Sequence, residues 1–283
     1  MTRTIFCNGK FVPESEAVVS VLDRGFLFAD AVYEVTSVLE GKLIDFNRHM
    51  ARLRRSLAEI ELTFPVSDEQ LLDIHRELLK RNEVRQGLVY LQVSRGVAER
   101  DFVMSNVEPT LVVFTQKKDL LGNSKNASGY RIVTVPDLRW GRRDIKTVQL
   151  LYPSMAKMIA VKAGADDAWL VEDGFVTEGS SNNAYIVEQS GDIVTRNLSN
   201  SILAGITRQA VLEYAKEAGI KIVERPFTVA EAKNAAEAFA TAASLFVVPV
   251  VEIDGDPIGN GKPGPVAQRL RDLYLEECRK RAF

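Results

Sequence analysis

The chain has 283 residues, of which 46% are hydrophobic and 26% charged, and its formal net charge is -2. This length can bury one large core or two smaller ones, and the mixed charges lack the basic footprint of a nucleic-acid-binding protein. No apolar run is long enough to span a membrane, and the N-terminus lacks the apolar segment of a secretory signal. With two cysteines and two histidines, we expect a cytoplasmic protein without a disulfide framework or a metal site.

The first half of the chain is predicted to combine helices with antiparallel strands. Asn8-Gly9 between two apolar runs predicts a β-hairpin, and Ser67 three residues before Gln70 predicts a capped helix. The predicted elements are strands at 5–7, 10–12, 36–39, 88–94 and 110–115, and helices at 46–60 and from 68 onwards. Helices segregated from antiparallel strands indicate a small α+β domain at 1–117, followed by a polar linker at 118–126.

The second half, 127–283, contains more predicted strands. Pro153 at the start and Gly164 past the end delimit a helix, and Thr207 opens another that runs to Ala218. The remaining predicted elements are hairpins across 172–174 and 190–192, strands at 131–135, 220–223, 239–241 and 247–253, a short helix capped by Thr228, and a closing helix at 265–281. Many short, mostly antiparallel strands with helices outside favour a barrel-like second domain.

Two segments place a lysine and an acid where they could carry chemistry. Lys146 lies in Arg142-Arg143-Asp144-Ile145-Lys146-Thr147, and Glu178 opens Glu178-Gly179-Ser180-Ser181-Asn182-Asn183 after a predicted hairpin. Taken alone, each has an ordinary explanation, because most lysines and glutamates are solvated surface charges. Lys146 could simply pair with Asp144, and Glu178 could be a strand-end glutamate in water.

A third segment suits an anion. Gly205-Ile206-Thr207 directly precedes an amphipathic helix, so unpaired backbone N–H groups and the helix dipole would point towards a bound phosphate. The ordinary role for Thr207 is that of a helix N-cap, and both roles can hold together.

The lysine and glutamate segments resemble those of class IV, fold-type IV pyridoxal-phosphate aminotransferases, and most closely those of the D-amino-acid aminotransferases. The resemblance covers almost the whole chain. It implies an α+β fold with a small α/β domain and a larger pseudo-barrel domain, and pyridoxal 5′-phosphate as cofactor. Lys146 would be the catalytic amine that forms the Schiff base and moves the substrate proton, and Glu178 would face the pyridine nitrogen.

The same resemblance assigns the other cofactor contacts. Arg52 matches the family's phosphate arginine, Leu203 the residue that packs on the ring face, and Ile206 with Thr207 the phosphate-binding turn. The family often has hydroxyl residues near Thr241, whereas this chain has Ala242 and Ala243 there. Ala243 could still donate its backbone N–H, but the missing hydroxyl predicts looser cofactor retention than in an Ala243→Thr variant.

The resemblance also implies a substrate site formed by Tyr33, Arg100 and Ala242. Arg100 matches the arginine that binds the substrate carboxylate, a task suited to its planar donor fork. In the D-amino-acid enzymes a histidine follows two residues later, whereas this chain has Phe102. Loss of that donor predicts a wider substrate range that includes (R)-amines. His49 and His75 lie on predicted helices and are expected to be structural or surface-exposed.

The implied function is transamination between a D-amino acid or (R)-amine and a keto acid such as pyruvate or 2-oxoglutarate. The family's homodimers further imply active sites at a subunit interface, with the Arg100 loop reaching the neighbouring site. Branched-chain L-amino-acid transamination and aminodeoxychorismate lysis are alternatives on the same fold. A non-catalytic cofactor carrier is an alternative of another class, against which the Lys146–Glu178 pair counts.

Overall fold

The computed structural model describes residues 2–104 and 106–283, and the chain divides into two compact units. The first unit comprises Met1–Leu120, Ile145–Gln149 and Arg281–Phe283, and the second comprises Leu121–Asp144 and Leu150–Lys280. The sequence placed all of 127–283 in the second domain, whereas two short segments of that range pack with the first unit. Backbone hydrogen bonds hold them there, from Tyr33 to Lys146 at 3.0 Å and between Leu43 and Phe283 at 3.0 and 3.1 Å.

The first unit is built on a six-stranded antiparallel sheet in the order β2-β1-β6-β5-β3-β4. Its elements are β1 (Thr4–Cys7), β2 (Lys10–Pro13), a 3-10 turn (Glu14–Glu16), α1 (Arg24–Phe28), β3 (Ala31–Leu39), β4 (Lys42–Leu43), α2 (Phe46–Glu59), α3 (Asp68–Arg81), β5 (Gly87–Ser94) and β6 (Thr110–Lys117). The predicted Asn8-Gly9 hairpin and the capping box of Ser67 with Gln70 are both confirmed.

The two faces of this sheet have different surroundings because side chains alternate along each strand. One face, with Val32, Leu91 and Val113, packs with the apolar sides of α2 and α3 in a single buried cluster. On the other face Tyr33 stacks on Tyr90, and half-buried residues alternate with buried ones along β3, β5 and β6. This half-buried face therefore has room for further contacts.

The second unit contains a nine-stranded sheet in the order β12-β11-β10-β13-β14-β7-β8-β9, with β15 on the side of β14. Its elements are α4 (Lys125–Ser128), β7 (Tyr130–Pro136), α5 (Leu151–Lys162), β8 (Asp167–Glu172), β9 (Phe175–Gly179), β10 (Asn183–Val187), β11 (Ile193–Thr195), α6 (Ile206–Glu217), β12 (Ile222–Glu224), α7 (Val229–Lys233), β13 (Glu237–Ala242), β14 (Phe246–Ile253), β15 (Asp256–Pro257) and α8 (Pro265–Lys280).

The sheet of the second unit mixes strand directions. Three pairs are parallel, β11 with β12, β14 with β7, and β7 with β8, while the hairpin strands pair antiparallel. Helix α5 lies in the connection between β7 and β8, and its small residues Ala156 and Ala160 are fully buried beside Leu170. The predicted elements are recovered within a few residues, although α4 begins inside the stretch predicted as a linker. Among the described residues, no helix has the length and apolar character to cross a membrane.

Candidate active site

Lys146 is fixed in the first unit as part of a short segment that runs beside β3. Tyr33 donates its backbone N–H to the carbonyl of Lys146 at 3.0 Å, and Val148 donates to the carbonyl of Ala31 at 3.2 Å. The backbone N–H of Lys146 also donates to Ser56 Oγ of α2 at 3.4 Å. Because both neighbours are core elements, the lysine side chain starts from a rigid backbone.

The side chain of Lys146 lies against an aromatic ring. Its Nζ is 4.1 Å from the centre of the Tyr33 ring, which stacks on Tyr90 at 5.5 Å between ring centres. Among the described residues of the first unit, no carboxylate lies within ion-pair distance of Nζ. Asp144, which the sequence offered as an ordinary partner, pairs with Arg142 at 3.0 Å instead. The amine thus keeps its nitrogen available for an electrophile.

Arg52 belongs to a buried charged cluster of the first unit. Its Nε and Nη2 donate to the two carboxylate oxygens of Glu34, each at 2.7 Å, and His49 Nδ1 lies 2.7 Å from the same carboxylate. Burial alone would raise the pKa of Glu34, but the charge and hydrogen bonds of Arg52 and His49 lower it to about 2. The phosphate role of Arg52 stays a prediction, while its guanidinium is held in one orientation.

Both histidines are buried, so the expectation that they could be surface-exposed is wrong. His49 contacts Glu34, as described. His75 Nδ1 donates to the carbonyl of Leu71 at 2.7 Å. The structural role predicted for these residues is the one that their burial supports.

Glu178 lies near the end of β9 in the second unit and is 4% exposed, so the view of it as a solvated strand-end glutamate is wrong. One oxygen, Oε1, accepts a hydrogen bond from Arg139 Nη1. The other, Oε2, accepts from Asn183 Nδ2 at 3.0 Å and from the backbone N–H of Leu203 at 3.1 Å. Burial raises the pKa of the Glu178 carboxyl above its ordinary value, and Arg139 opposes that rise.

Asn183 connects Glu178 to the loop before α6. Besides Glu178, its Nδ2 donates to the carbonyl of Leu203 at 3.0 Å. A Cβ on Gly205 would lie 2.1 Å from Asn183 Oδ1, so the loop approaches this strand closely at a residue that has no side chain. The packing therefore fixes the start of α6 relative to the acid.

The N-terminus of α6 has no side-chain cap. Its N-cap residue is Gly205, and the predicted capping role of Thr207 is wrong because this threonine lies inside the first turn. Ile206 and Thr207 are both buried. First-turn N–H groups without a side-chain cap suit an anion.

The end of β13 lies next to the same strand. Asn183 and Thr241 are paired across β10 and β13, and the Thr241 hydroxyl is 2.9 Å from the hydroxyl of Tyr185. Ala242 and Ala243 follow and are half-buried. The pairing of β10 with β13 thus places Ala242 and Ala243 near Asn183, which donates a hydrogen bond to Glu178.

Arg100 is exposed on a loop of the first unit. Its guanidinium carbon lies 5.5 Å from the centre of the Phe28 ring and 5.9 Å from that of Phe102, and it forms no ion pair among the described residues. Arg24 Nη1 donates to the carbonyl of Asp101 at 2.6 Å and anchors the loop. The donor fork of Arg100 is therefore held beside two rings.

Sequence reasoning missed two residues that bind Glu178. Asn183 lies in the same sequence segment as Glu178, but nothing in the sequence indicated that its side chain would bind Glu178. Arg139 lies 39 positions from Glu178 in the chain and carries no motif of its own. The hydrophobic and turn patterns of the sequence contain no signal for such a long-range ion pair.

Residues 31–253 match the family described as Amino-transferase class IV. The chain belongs to the class IV aminotransferases. This match runs from the first residue of β3 to the last residue of β14 and includes Lys146, Glu178 and the start of α6. The family assigned by resemblance is confirmed, and the protein is an aminotransferase.

Curated relatives are similar over nearly the full length. The D-alanine aminotransferase of Staphylococcus aureus (strain N315) is 42% identical over 272 residues, which cover 95% of this chain and 96% of the relative. That of Staphylococcus haemolyticus is 40% identical over 284 residues, with 100% of each chain covered.

Solved structures confirm the fold-type IV architecture, with its small α/β domain and larger pseudo-barrel domain. The crystal structure of a branched-chain amino acid aminotransferase from T.th. with pyridoxamine 5′-phosphate superposes with a TM-score of 0.90 at 30% identity. The match covers 99% of this chain and 95% of that chain.

Proposed function

We propose that this class IV aminotransferase uses pyridoxal 5′-phosphate to move an amino group between a D-amino acid and a keto acid such as pyruvate or 2-oxoglutarate. The observation that carries the proposal is the 42% identity to a D-alanine aminotransferase over 95% of the chain. The solved branched-chain relatives are more distant, at 20–30% identity.

The residues of each unit fit the cofactor. The second unit offers a buried carboxylate at Glu178, a loop at Gly205 with no space for a side chain, and an uncapped helix end for a phosphate. The first unit offers an amine at Lys146 that no carboxylate of that unit's described residues neutralises. Carrying over the family's positions, the residues that would hold the cofactor are Lys146, Glu178, Arg52, Leu203, Ile206, Thr207 and Ala243.

When bound, pyridoxal phosphate supplies an electron-withdrawing ring that stabilises negative charge on the substrate's α-carbon. Glu178 would stabilise positive charge on the ring nitrogen, since its carboxylate is oriented by Arg139, Asn183 and the Leu203 N–H. Lys146 would take a proton from the substrate carbon at Nζ and return it, as a general base and acid on a rigid backbone.

The proposed substrate residues are Tyr33, Arg100 and Ala242. The guanidinium of Arg100 has donors for a carboxylate, and its neighbours in the loop are aromatic rings. Because Phe102 provides no hydrogen-bond donor, carboxylate binding would depend more on Arg100 alone. We therefore include (R)-amines, which lack the carboxylate, among the candidate donors.

We also propose a homodimer. Exposed apolar side chains concentrate on the two neighbouring loops of the first unit and on α5 of the second, and such surfaces are typical of interfaces. The examples with the greatest exposure are Val18, Val21, Phe102 and Val103 on the loops, Phe26 on the adjoining helix α1, and Leu151 on α5. The Arg100 loop would then reach the site of the partner subunit.

A branched-chain L-amino acid is the second candidate substrate, favoured by the TM-score of 0.90 to a branched-chain enzyme. The deciding experiment compares D-alanine, L-leucine and (R)-1-phenylethylamine as donors to 2-oxoglutarate, with Lys146→Ala as the blank. We expect turnover with D-alanine to exceed that with L-leucine by more than tenfold. Preference for L-leucine, or keto-acid-independent release of pyruvate from aminodeoxychorismate, would overturn the proposal.

A further inference from the structure

Glu178 is the inner end of a line of alternating charges in the second unit, which we call the ion-pair chain (Glu178, Arg139, Asp137, Arg143 and Glu172). Arg139 donates from Nη1 to Glu178, and from Nε and Nη2 to the two oxygens of Asp137 at 2.9 and 2.7 Å. Arg143 lies 3.4 Å from Asp137 and binds both oxygens of Glu172 at 2.7 and 2.9 Å.

The ion-pair chain runs from the interior towards solvent. The Asp137 side chain is 0% exposed and that of Glu172 is 34% exposed, and both arginines between the acids are largely buried. Thr177, which precedes Glu178 on β9, donates its hydroxyl to Asp137 at 2.7 Å. The guanidinium of Arg139 therefore bonds a carboxylate on each side, and Thr177 fixes Asp137 relative to β9.

The charges of the ion-pair chain do not balance. Three carboxylates face two guanidinium groups, which leaves one negative charge in excess when every member is ionised. Glu172 at the outer end is 34% exposed and also near the charge of Arg196, so the excess charge matters at the buried end, where it is costly unless a cation beside Glu178 compensates it. A protonated ring nitrogen beside Glu178 would supply that cation.

We propose that Arg139 is a positioning residue that, anchored by Asp137, holds Glu178 as an oriented anion for the ring nitrogen of the cofactor. This inference rests on the proposed function and adds a residue to it. Arg139 acts through Glu178 and is therefore not a catalytic residue. Its guanidinium occupies Oε1, while Asn183 and the Leu203 N–H occupy Oε2, so the direction of the carboxylate is fixed from both sides.

Arg139 is the main group that opposes the effect of burial on the pKa of the Glu178 carboxyl. Burial raises the pKa of Glu178, the charge and hydrogen bond of Arg139 lower it, and the nearby charge of Asp137 raises it again. Burial likewise raises the pKa of Asp137, but Arg139, Thr177 and Arg143 bring it below its ordinary value. Loss of Arg139 would leave Glu178 with neutral donors and a neighbouring acid, and its pKa would rise further.

The first test uses the apoprotein and needs no turnover. In Arg139→Gln, we expect the pKa of Glu178 in the folded state to rise further above its value in the unfolded state. The free energy of unfolding then falls as pH rises from the unfolded pKa of this carboxyl towards its folded pKa. We expect the melting temperature of Arg139→Gln to drop between pH 5 and pH 8 more than that of the unmodified protein. Glu178→Gln added to Arg139→Gln should remove much of this extra drop.

The second test uses pyridoxal phosphate binding, followed by fluorescence, and the pH profile of kcat. Arg139→Gln should weaken binding at pH 7 by about tenfold, equivalent to about one pKa unit, and move the acid limb of the kcat profile to higher pH. Arg139→Lys keeps a positive charge, so it should restore part of the cofactor affinity and return the acid limb part of the way. The matched control is Arg225→Gln, because Arg225 also pairs with two carboxylates, Glu188 and Glu231, but near the surface.

Two results would overturn the inference. One is an Arg139→Gln variant whose extra pH-dependent destabilisation persists undiminished in the Glu178→Gln background, since the whole effect would then come from Asp137, which also loses its Arg139 partner, and would bypass Glu178. The other is an unchanged cofactor affinity and acid limb. If the unmodified protein fails to transaminate D-alanine, the proposed substrate is wrong, while the apoprotein test of the Arg139–Glu178 coupling still gives its own answer.

Discussion

Lys146 Nζ lies 4.1 Å from the centre of the Tyr33 ring, and the carbonyl of Lys146 accepts a backbone hydrogen bond from Tyr33 at 3.0 Å. The same residue thus orients both the backbone and the amine of the lysine. This contact with the ring face restricts the lysine side chain without the strong pull of a carboxylate.

Lys146→Ala should reduce the rate of transamination by about 10²–10⁴-fold or more, because it removes both the amine and the proton-transferring group. The rate of keto-acid-dependent amine transfer measures this effect. Lys162→Ala is the control, since Lys162 is exposed in the last turn of α5. A Lys146→Ala variant with near-normal turnover would exclude Lys146 as the catalytic amine.

Gly205→Ala should weaken cofactor binding and lower the melting temperature. The new Cβ would lie 2.1 Å from Asn183 Oδ1, so Asn183 would have to move away from Glu178 and Leu203. Overpacking of this kind costs about 1–3 kcal/mol. Calorimetry of the apoprotein and fluorescence titration with pyridoxal phosphate measure the two effects.

The control for this variant is Gly141→Ala. A Cβ on Gly141 meets no atom within 4 Å, and its backbone is outside the left-handed region. Equal cofactor affinity for Gly205→Ala and Gly141→Ala would contradict the role given to the Asn183 contact.

Local patterns in the sequence predicted most of the helices, strands and turns, because these elements depend mainly on residues that are close together in the chain. Asn8-Gly9 and the capping boxes at Ser67 and Thr228 are confirmed, since a turn or cap depends on residues within four positions. The return of 145–149 to the first unit has no such local signal. It depends on backbone hydrogen bonds between that segment and Tyr33 and Ala31 of β3.

The candidate site divides in the same way. Lys146 and Glu178 were recognised from their segments, but the ion pair of Glu178 with Arg139 joins residues that are distant in the chain. Capping by Thr207 was predicted wrongly because the N-cap is Gly205, two residues earlier, which passes close to Asn183. Close approach of a loop to a distant strand is a tertiary property that a single sequence does not display.

Acidification between pH 6.5 and about 4 should destabilise the apoprotein through His75. Its side chain is 0% exposed, and burial lowers its pKa from 6.5 to about 4. A histidine kept neutral by the fold binds its proton in the unfolded state first, so stability is lost as pH falls through that window. The loss amounts to about 3 kcal/mol once pH is below the folded pKa.

His75→Leu should flatten the pH dependence of the free energy of unfolding above pH 4.5, as measured by urea denaturation. Glu34, with its pKa lowered to about 2, contributes stability that is present above pH 4.5 and is lost only as pH falls below that value. The two groups therefore act in separable windows. An identical slope for His75→Leu and the unmodified protein between pH 6.5 and 4.5 would refute this assignment.

Ala243→Thr should retain the cofactor more tightly than the natural sequence. Ala243 is half-buried in the run that follows Thr241, and a hydroxyl there would add a donor for a phosphate oxygen, worth about 1–3 kcal/mol. Dissociation constants for pyridoxal phosphate, from equilibrium dialysis, compare the two proteins. Ala243→Val, which adds similar bulk without a hydroxyl, is the control, and equal constants for all three would show that no hydroxyl bond forms.

Phe102→His should sharpen selection for donors that carry a carboxylate. Phe102 is 81% exposed, and its ring lies 5.9 Å from the guanidinium carbon of Arg100 and 5.6 Å from the ring centre of Phe28. A histidine at this position would add an N–H donor beside Arg100, and a charge-assisted hydrogen bond to a carboxylate contributes about 1.5–3 kcal/mol. We therefore expect KM for D-alanine to fall about tenfold while KM for (R)-1-phenylethylamine does not fall. Phe102→Leu, which removes the ring without adding a donor, should leave KM for D-alanine unimproved, and an equal gain for both donors in Phe102→His would rule out carboxylate recognition as the cause.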